Sequence, residues 1–425
     1  MEARGKRVES GSKGSFRWSA KVLLLVCSAA GLWSQTSAAP AKTGLPTTAE
    51  INGVLKELAD ITGFHIRHQL PFEMVTRQQI NQYLQDQIRT TVKPAEIRAE
   101  EITLKKFGFV PADFDLKKTT IDLLTEQAAA FYDFRRKKLF ISDWAAENMR
   151  DEALVHELGH ALADQNFPIR RFLAKAGDDS EAALARETVV EGQATWLTLE
   201  YSARRVNKSL SDPATASLLL RSPPEADDGA YPVFANAPLY LKITLLFPYD
   251  QGQRFQQAMF LKEGKTAFAH AFEKPPVSTA QILHPERYFS GETGVNPPLP
   301  KPTRGMKVLA QGTMGELDQQ VFLRQYGNKD LAELLAPQLQ GSSYRVEEEK
   351  AGGRVTLLYI SDWKDESAAA GYFEAWQRAD RAKWKQVEAT RQEAGLFQGK
   401  SEDGYFRVTR KGSRITAEEG FARPF

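Results

Sequence analysis

His156 and His160 stand four residues apart, and Glu157 follows the first of them, in the run His156-Glu157-Leu158-Gly159-His160. On a helix, residues four apart share one face. The two imidazoles could then hold one zinc ion, with Glu157 at the next helical position to take a proton from a water on that ion. The flanking sequence predicts the helix, because Leu154, Leu158, Ala161 and Leu162 recur at helical spacing in DEALVHELGHALADQNF. Chance also produces such a pentapeptide, and a lone histidine is more often structural than a ligand. Here the chain has six histidines, and two of them fall at this spacing inside a helical pattern.

A catalytic zinc usually takes three protein ligands and leaves one position to water. No HExxHxxGxxH extension follows, since Ala163 stands where the glycine would be. The third ligand must come from another segment, and a second helix-like run carries Glu187 and Glu191 four residues apart. Glu191 is the chosen ligand, because Gly192 directly after it would let two helices sharing an ion approach closely. Glu187 is then an outer partner or the alternative ligand. The plain reading of either is a solvated helix charge.

Val190-Glu191-Gly192-Gln193-Ala194-Thr195 resembles the third-ligand helix of gluzincin metallopeptidases. Taken in order, HELGHALADQNF, VVEGQAT and QILHPERY resemble a broad group of secreted bacterial zinc peptidases over roughly residues 50 to 300. The resemblance implies a zincin-like fold, one Zn2+ per chain on His156, His160 and Glu191, and Glu157 as general base. It also implies that a Tyr or His on a later helix stabilises the oxyanion. His284 and Tyr288 are the first candidates, on one face if HPERY is helical; alternatively Pro285 starts a helix and His284 caps it. Tyr249 and Arg254 come next, and His270 has a weaker claim. Val190 replaces the Asn of the aminopeptidase branch, so recognition of a free amine is not implied. Thr195 stands where some gluzincins place an Asp that orients a ligand histidine, which leaves that bond to Glu187 or Asp178.

These residues need elements to position them. AAAFYDFRRKKLFIS, directly before the motif, reads as a hairpin with strands at 130–132 and 139–141. By the same resemblance, one of its strands would pair with an extended substrate; the plain alternative is a hairpin that only completes a sheet. Residues 49–125 read as mainly helical bracing, with a Thr-x-x-Glu start, and His65 and His68 within them as structural or surface residues. Residues 210–234 end in a Pro-rich stretch that reads as a mobile loop. The run 237–264 reads as an apolar segment, a Pro-Tyr-Asp turn and a helix. NPPLPKPTR, at 296–304, reads as a linker. Beyond it come a helix opened by a Thr313–Glu316 capping box, two strands, a long helix over 365–389 and a closing hairpin.

The predicted class is therefore α+β: a mainly helical zincin-like domain at 49–300 with a small sheet or hairpin, and a smaller α+β domain at 305–425. Residues 1–38 read as a bacterial Sec-type secretory signal and 39–48 as a linker. The apolar run from Val22 to Trp33 is too short to span a membrane. Cys27, the single cysteine of the chain, lies inside that signal, so a mature protein has no thiol chemistry. Net charge of +2 gives no reason to expect a nucleic-acid partner. The expectation is a secreted or periplasmic zinc peptidase acting on peptides or proteins. The same residues also suit a zinc hydrolase of another amide or cell-wall bond. A different class, a non-catalytic exported protein with a zinc staple, would need a fourth ligand.

Overall fold

The computed structural model of the chain describes residues 46–425 apart from 92, 128–129, 144–146, 221–230 and 351–352. The segment read as a secretory signal, the linker up to residue 45 and the Pro-rich loop at 221–230 lie outside the described residues. No described helix is long and apolar enough to cross a membrane. The architecture is α+β, with two separate sheets of three and seven strands.

The described chain forms two compact units. One comprises residues 46–97 and 113–293, and the other 98–112 and 294–425. In the first, α1 (Thr48–Thr62) opens with the expected capping box, in which Thr47 and Glu50 exchange hydrogen bonds. Its Ile51, Leu55, Leu58 and Ile61 are buried on one side. Then follow β1 (Phe72–Val75), α2 (Arg77–Thr91), the first residues of α3 (Pro94–Phe107), which from residue 98 belongs to the other unit, α4 (Leu116–Gln127), β2 (Ala130–Asp133) and β3 (Lys138–Ser142). The hairpin β2–β3 has the antiparallel register Tyr132↔Leu139. It is not alone: β1 pairs parallel to β3, so the order is β1-β3-β2 and β2 is an edge.

The motif helix is α5 (Glu147–Asn166), and α6 (Ile169–Ala174) follows it. α7 (Ser180–Arg204), capped by Asp179, carries Glu191. After α8 (Pro213–Leu219) and α9 (Pro232–Asn236) comes α10 (Leu239–Glu263). The expected turn at Pro-Tyr-Asp does not form. α10 is one helix of 25 residues running through Pro248. Proline removes a single backbone donor, and Tyr240, Leu245, Phe247 and Tyr249 bury the helix on both sides of that position. The unit closes with α11 (Thr266–Glu273), α12 (Thr279–Leu283) and α13 (Pro285–Ser290).

Gly192 sits where the sequence predicts close packing, but its neighbour differs. A β-carbon on Gly192 would lie 2.2 Å from the backbone of Gly252, so the intimate approach is between α7 and α10. The motif helix meets α7 through Gly159 instead, whose missing β-carbon faces Ala194 at 3.4 Å.

The second unit contains β4 (Met306–Gly312), α14 (Glu316–Tyr326), α15 (Lys329–Leu335), β5 (Leu339–Glu349), β6 (Val355–Trp363), α16 (Glu366–Lys383), β7 (Val387–Glu393), β8 (Leu396–Ser401), β9 (Gly404–Lys411) and β10 (Arg414–Phe421). Its sheet runs β4-β5-β6-β10-β9-β8-β7, every neighbour antiparallel. α14 starts later than expected, on Gly315, whose N–H is accepted by Asp318 rather than by a Thr313–Glu316 box. α16 stops at Lys383, and the residues expected to extend it form β7. Residues 98–112, expected in the first domain, belong to this unit. Aromatic packing is the reason: Phe107 lies 5.3 to 6.2 Å from Tyr344, Tyr359 and Trp376, and Phe109 lies 6.3 Å from Phe322.

Candidate metal centre

On α5, the four-residue spacing turns His156 and His160 to the same side, with their Nε2 atoms 3.0 Å apart. From α7, Glu191 Oε2 reaches His156 Nε2 at 3.1 Å and His160 Nε2 at 3.3 Å. The three side chains are buried, and they form the group among the described residues that could hold a metal ion. Their spacing suits a small metal ion. Ligands about 2.0 to 2.1 Å from a tetrahedral ion stand roughly 3.3 to 3.4 Å apart. The electrostatics suit it too. Two carboxylates, Glu157 and Glu191, are buried with two imidazoles, and such charge in a dry interior needs a cation or protons. Burial lowers the His156 pKa. For Glu191, burial alone would raise the carboxyl, but the two imidazoles outweigh it and hold it well below the usual range.

Glu157 is completely buried. Its Oε2 accepts the backbone N–H of Tyr132 at 2.7 Å, and Oε1 has no hydrogen-bond partner among the described residues. Burial pushes its pKa well up, and the charge of Glu191 adds to the effect, against the Tyr132 hydrogen bond.

Each ligand ring has an aromatic wall. Phe134, in the hairpin turn, meets the His160 ring edge-on at 5.8 Å. Tyr249 of α10 stacks on His156 at 5.9 Å with 29° between planes. Of the oxyanion candidates, Tyr249 is therefore one whose ring meets a histidine of the cluster. His284 does not share a helix face with Tyr288; it sits between α12 and α13, ahead of Pro285, with Nδ1 3.7 Å from Glu286. The Tyr288 hydroxyl donates to the Lys274 carbonyl at 2.6 Å, and the ring packs on Phe255. Arg254 pairs with Asp250, and His270 Nδ1 lies 2.7 Å from Glu263. Pro285 explains the displacement of His284: a proline favours the first turn of a new helix, which breaks the face the two residues would have shared.

Glu187 is buried one turn ahead of Glu191 on α7, outside the three-residue group. Asp178 is exposed before α7 begins, so it does not supply the buried bond expected of it. His65 and His68 are exposed, and Gln165 and Asn166 at the end of α5 bind the backbone of their segment.

Sequence reading missed Asp164. It lies seven residues after Glu157, close to two full turns, and so on the same side of α5. Its Oδ2 accepts the Tyr132 hydroxyl at 3.1 Å and pairs with Lys137, while Oδ1 accepts the N–H of Ile169 at 2.9 Å. Burial, then the Asp164 charge, raises the Tyr132 phenol far above its ordinary pKa, so it remains a donor. The available signal was the Glu-x6-Asp spacing beside a strand. Comparison with known protein families, with curated proteins and with solved structures gives no match.

Proposed function

We propose that the protein is a zinc-dependent hydrolase of amide bonds, with a peptide or protein as substrate. The observation that carries this reading is the three-donor cluster of His156, His160 and Glu191 with Glu157 buried beside it. Three ligands and an adjacent carboxylate are the composition of a catalytic zinc site, whereas a structural zinc is usually closed by four. When bound, zinc would supply a polarising charge and a water of lowered pKa.

The chain's own residues divide the rest of the work. Glu157, with Oε2 held by the Tyr132 N–H of β2 and Oε1 without a hydrogen-bond partner among the described residues, would take the proton. The same carboxyl then returns the proton to the leaving amine. Burial keeps bulk water away and strengthens every electrostatic contact in the site. Tyr249, whose ring stacks on His156, is proposed as the donor to a developing oxyanion ahead of His284 and Tyr288. The likeness of HELGH and VEGQAT to gluzincin peptidases supports peptides over other amides, and a zincin-like fold for this unit.

Metal analysis and two substitutions test the proposal. Purified protein should carry one zinc per chain. Glu191→Gln should lose it, and chelation of the wild type should lower the melting temperature. Glu157→Gln should keep the zinc and lose roughly 10²- to 10⁴-fold in turnover of a general protein substrate such as labelled casein. Cleavage that survives Glu157→Gln refutes the mechanism. Zinc that survives Glu191→Gln refutes the ligand set.

A further inference from the structure

Tyr132 touches α5 at two points. Its backbone N–H is held by Glu157 and its hydroxyl by Asp164, two turns further along the helix. Asp164 in turn pairs with Lys137, the last residue of the hairpin turn. Lys137 has φ 54°, in the left-handed region, where glycine or asparagine is ordinarily preferred. A residue bearing a β-carbon persists in such a conformation when its surroundings demand it. Here the demand is visible: the ammonium of Lys137 reaches a carboxylate whose side chain is 1% exposed. The same turn is fixed from the β2 side by Asp133, which accepts the Tyr83 hydroxyl at 3.0 Å and two turn N–H groups.

We infer that Tyr132, Lys137 and Asp164 form a clamp that positions Glu157, by locking the edge strand β2 against the motif helix. The inference rests on the hydrolase reading, but its geometry does not. The clamp fixes the hydrogen-bond donor that holds Oε2 of the Glu157 carboxylate, and so decides where the other oxygen, Oε1, points. These three are positioning residues, since they act through Glu157 rather than on a substrate. The Lys137 turn is thus the part of the hairpin that sequence rules would most readily replace by glycine and that the site can least spare.

Amide hydrogen exchange read by mass spectrometry, with steady-state cleavage of labelled casein, tests the clamp on the full chain. Lys137→Gly relaxes the backbone and removes the whole side chain, ammonium included. Asp164→Asn and Tyr132→Phe remove the partners with little change of shape. Each should leave zinc content intact and the melting temperature within a few degrees. Each should lower amide protection over residues 130–133 about tenfold, and kcat about tenfold with KM unchanged. Lys137→Arg should restore both. Protection that stays at the wild-type level in Lys137→Gly and Asp164→Asn overturns the clamp. Protection lost with kcat unchanged overturns its positioning role. A wild type that binds no zinc and cleaves nothing refutes the hydrolase reading instead, and exchange at residues 130–133 in Asp164→Asn then decides whether the clamp exists.

Discussion

One turn before His156, Glu152 is half-buried and burial pushes its carboxyl up to about 7, with Asp151 adding to the shift. A carboxyl whose folded pKa exceeds its unfolded value favours the fold at low pH, and that advantage is lost as pH rises through the folded pKa. Glu152→Gln should therefore raise the melting temperature at pH 8 and change little at pH 4. A thermal-melt series of both proteins across that range checks it. A gain at pH 4 that vanishes at pH 8 is the opposite sign and would exclude burial as the cause. At this scale the meeting of His156 and His160 was legible in the sequence, because i,i+4 spacing fixes a shared helix face whatever the fold. The clamp was not legible in the same way. Tyr132 and Asp164 meet across a strand and a helix, and no local period links residues 32 apart in sequence.

Between elements, the glycines give the sharpest contrast. Gly192→Ala pushes a methyl into the backbone of Gly252, so α7 and α10 must separate. Overpacking of this kind costs about 1 to 3 kcal/mol, and more where backbone is the obstacle. Gly53 in α1 has nothing within 4 Å of its missing β-carbon. Gly53→Ala should stabilise by up to about 1 kcal/mol through helix propensity and a less free unfolded chain. Urea unfolding of the two variants reads both signs in one experiment, and equal effects would discredit the packing account. The sequence correctly marked Gly192 as a place of close approach, but named the wrong neighbour. Composition shows that a small residue is present; it does not show which of several helices lies across from it. Pro248 misled for a similar reason. Propensity reads a proline as a break, whereas the buried rings on either side keep α10 whole.

For the whole molecule, the buried ionic group of the second unit is the main electrostatic liability. Lys383 Nζ lies 3.0 Å from Asp380 and 2.7 Å from Glu419, and Trp376 donates to Glu419 at 3.1 Å. Burial alone would lower the Lys383 pKa, but the two carboxylates outweigh it and raise it. Burial drives Asp380 the other way, well above its ordinary value, against the pull of Lys383. Lys383→Met strands two acids in the interior and should destabilise by about 3 to 5 kcal/mol at neutral pH. Calorimetry at pH 7 should show the loss, and an unchanged transition would mean the ammonium is not what keeps these acids inside. The domain pattern was the least legible feature at this scale. A Pro-rich run at 296–304 suggests a clean cut, yet residues 98–112 belong beyond it. Nothing local distinguishes a helix that braces its own domain from one that completes another. A fragment ending at residue 300 should therefore expose Phe107 and Phe109 and bind a hydrophobic dye, where the full chain does not.

The interleaved order of the two units also sets a timetable. A ribosome delivers Phe107 and Phe109 well over two hundred residues before Tyr344, Tyr359 and Trp376. At about 5 to 20 residues per second, the early aromatics wait on the order of tens of seconds for their partners. During that interval the nascent chain carries uncovered aromatic side chains that cannot yet be buried where they belong. Slower synthesis lengthens the wait, so translation rate and chaperone supply should govern the soluble yield of this protein.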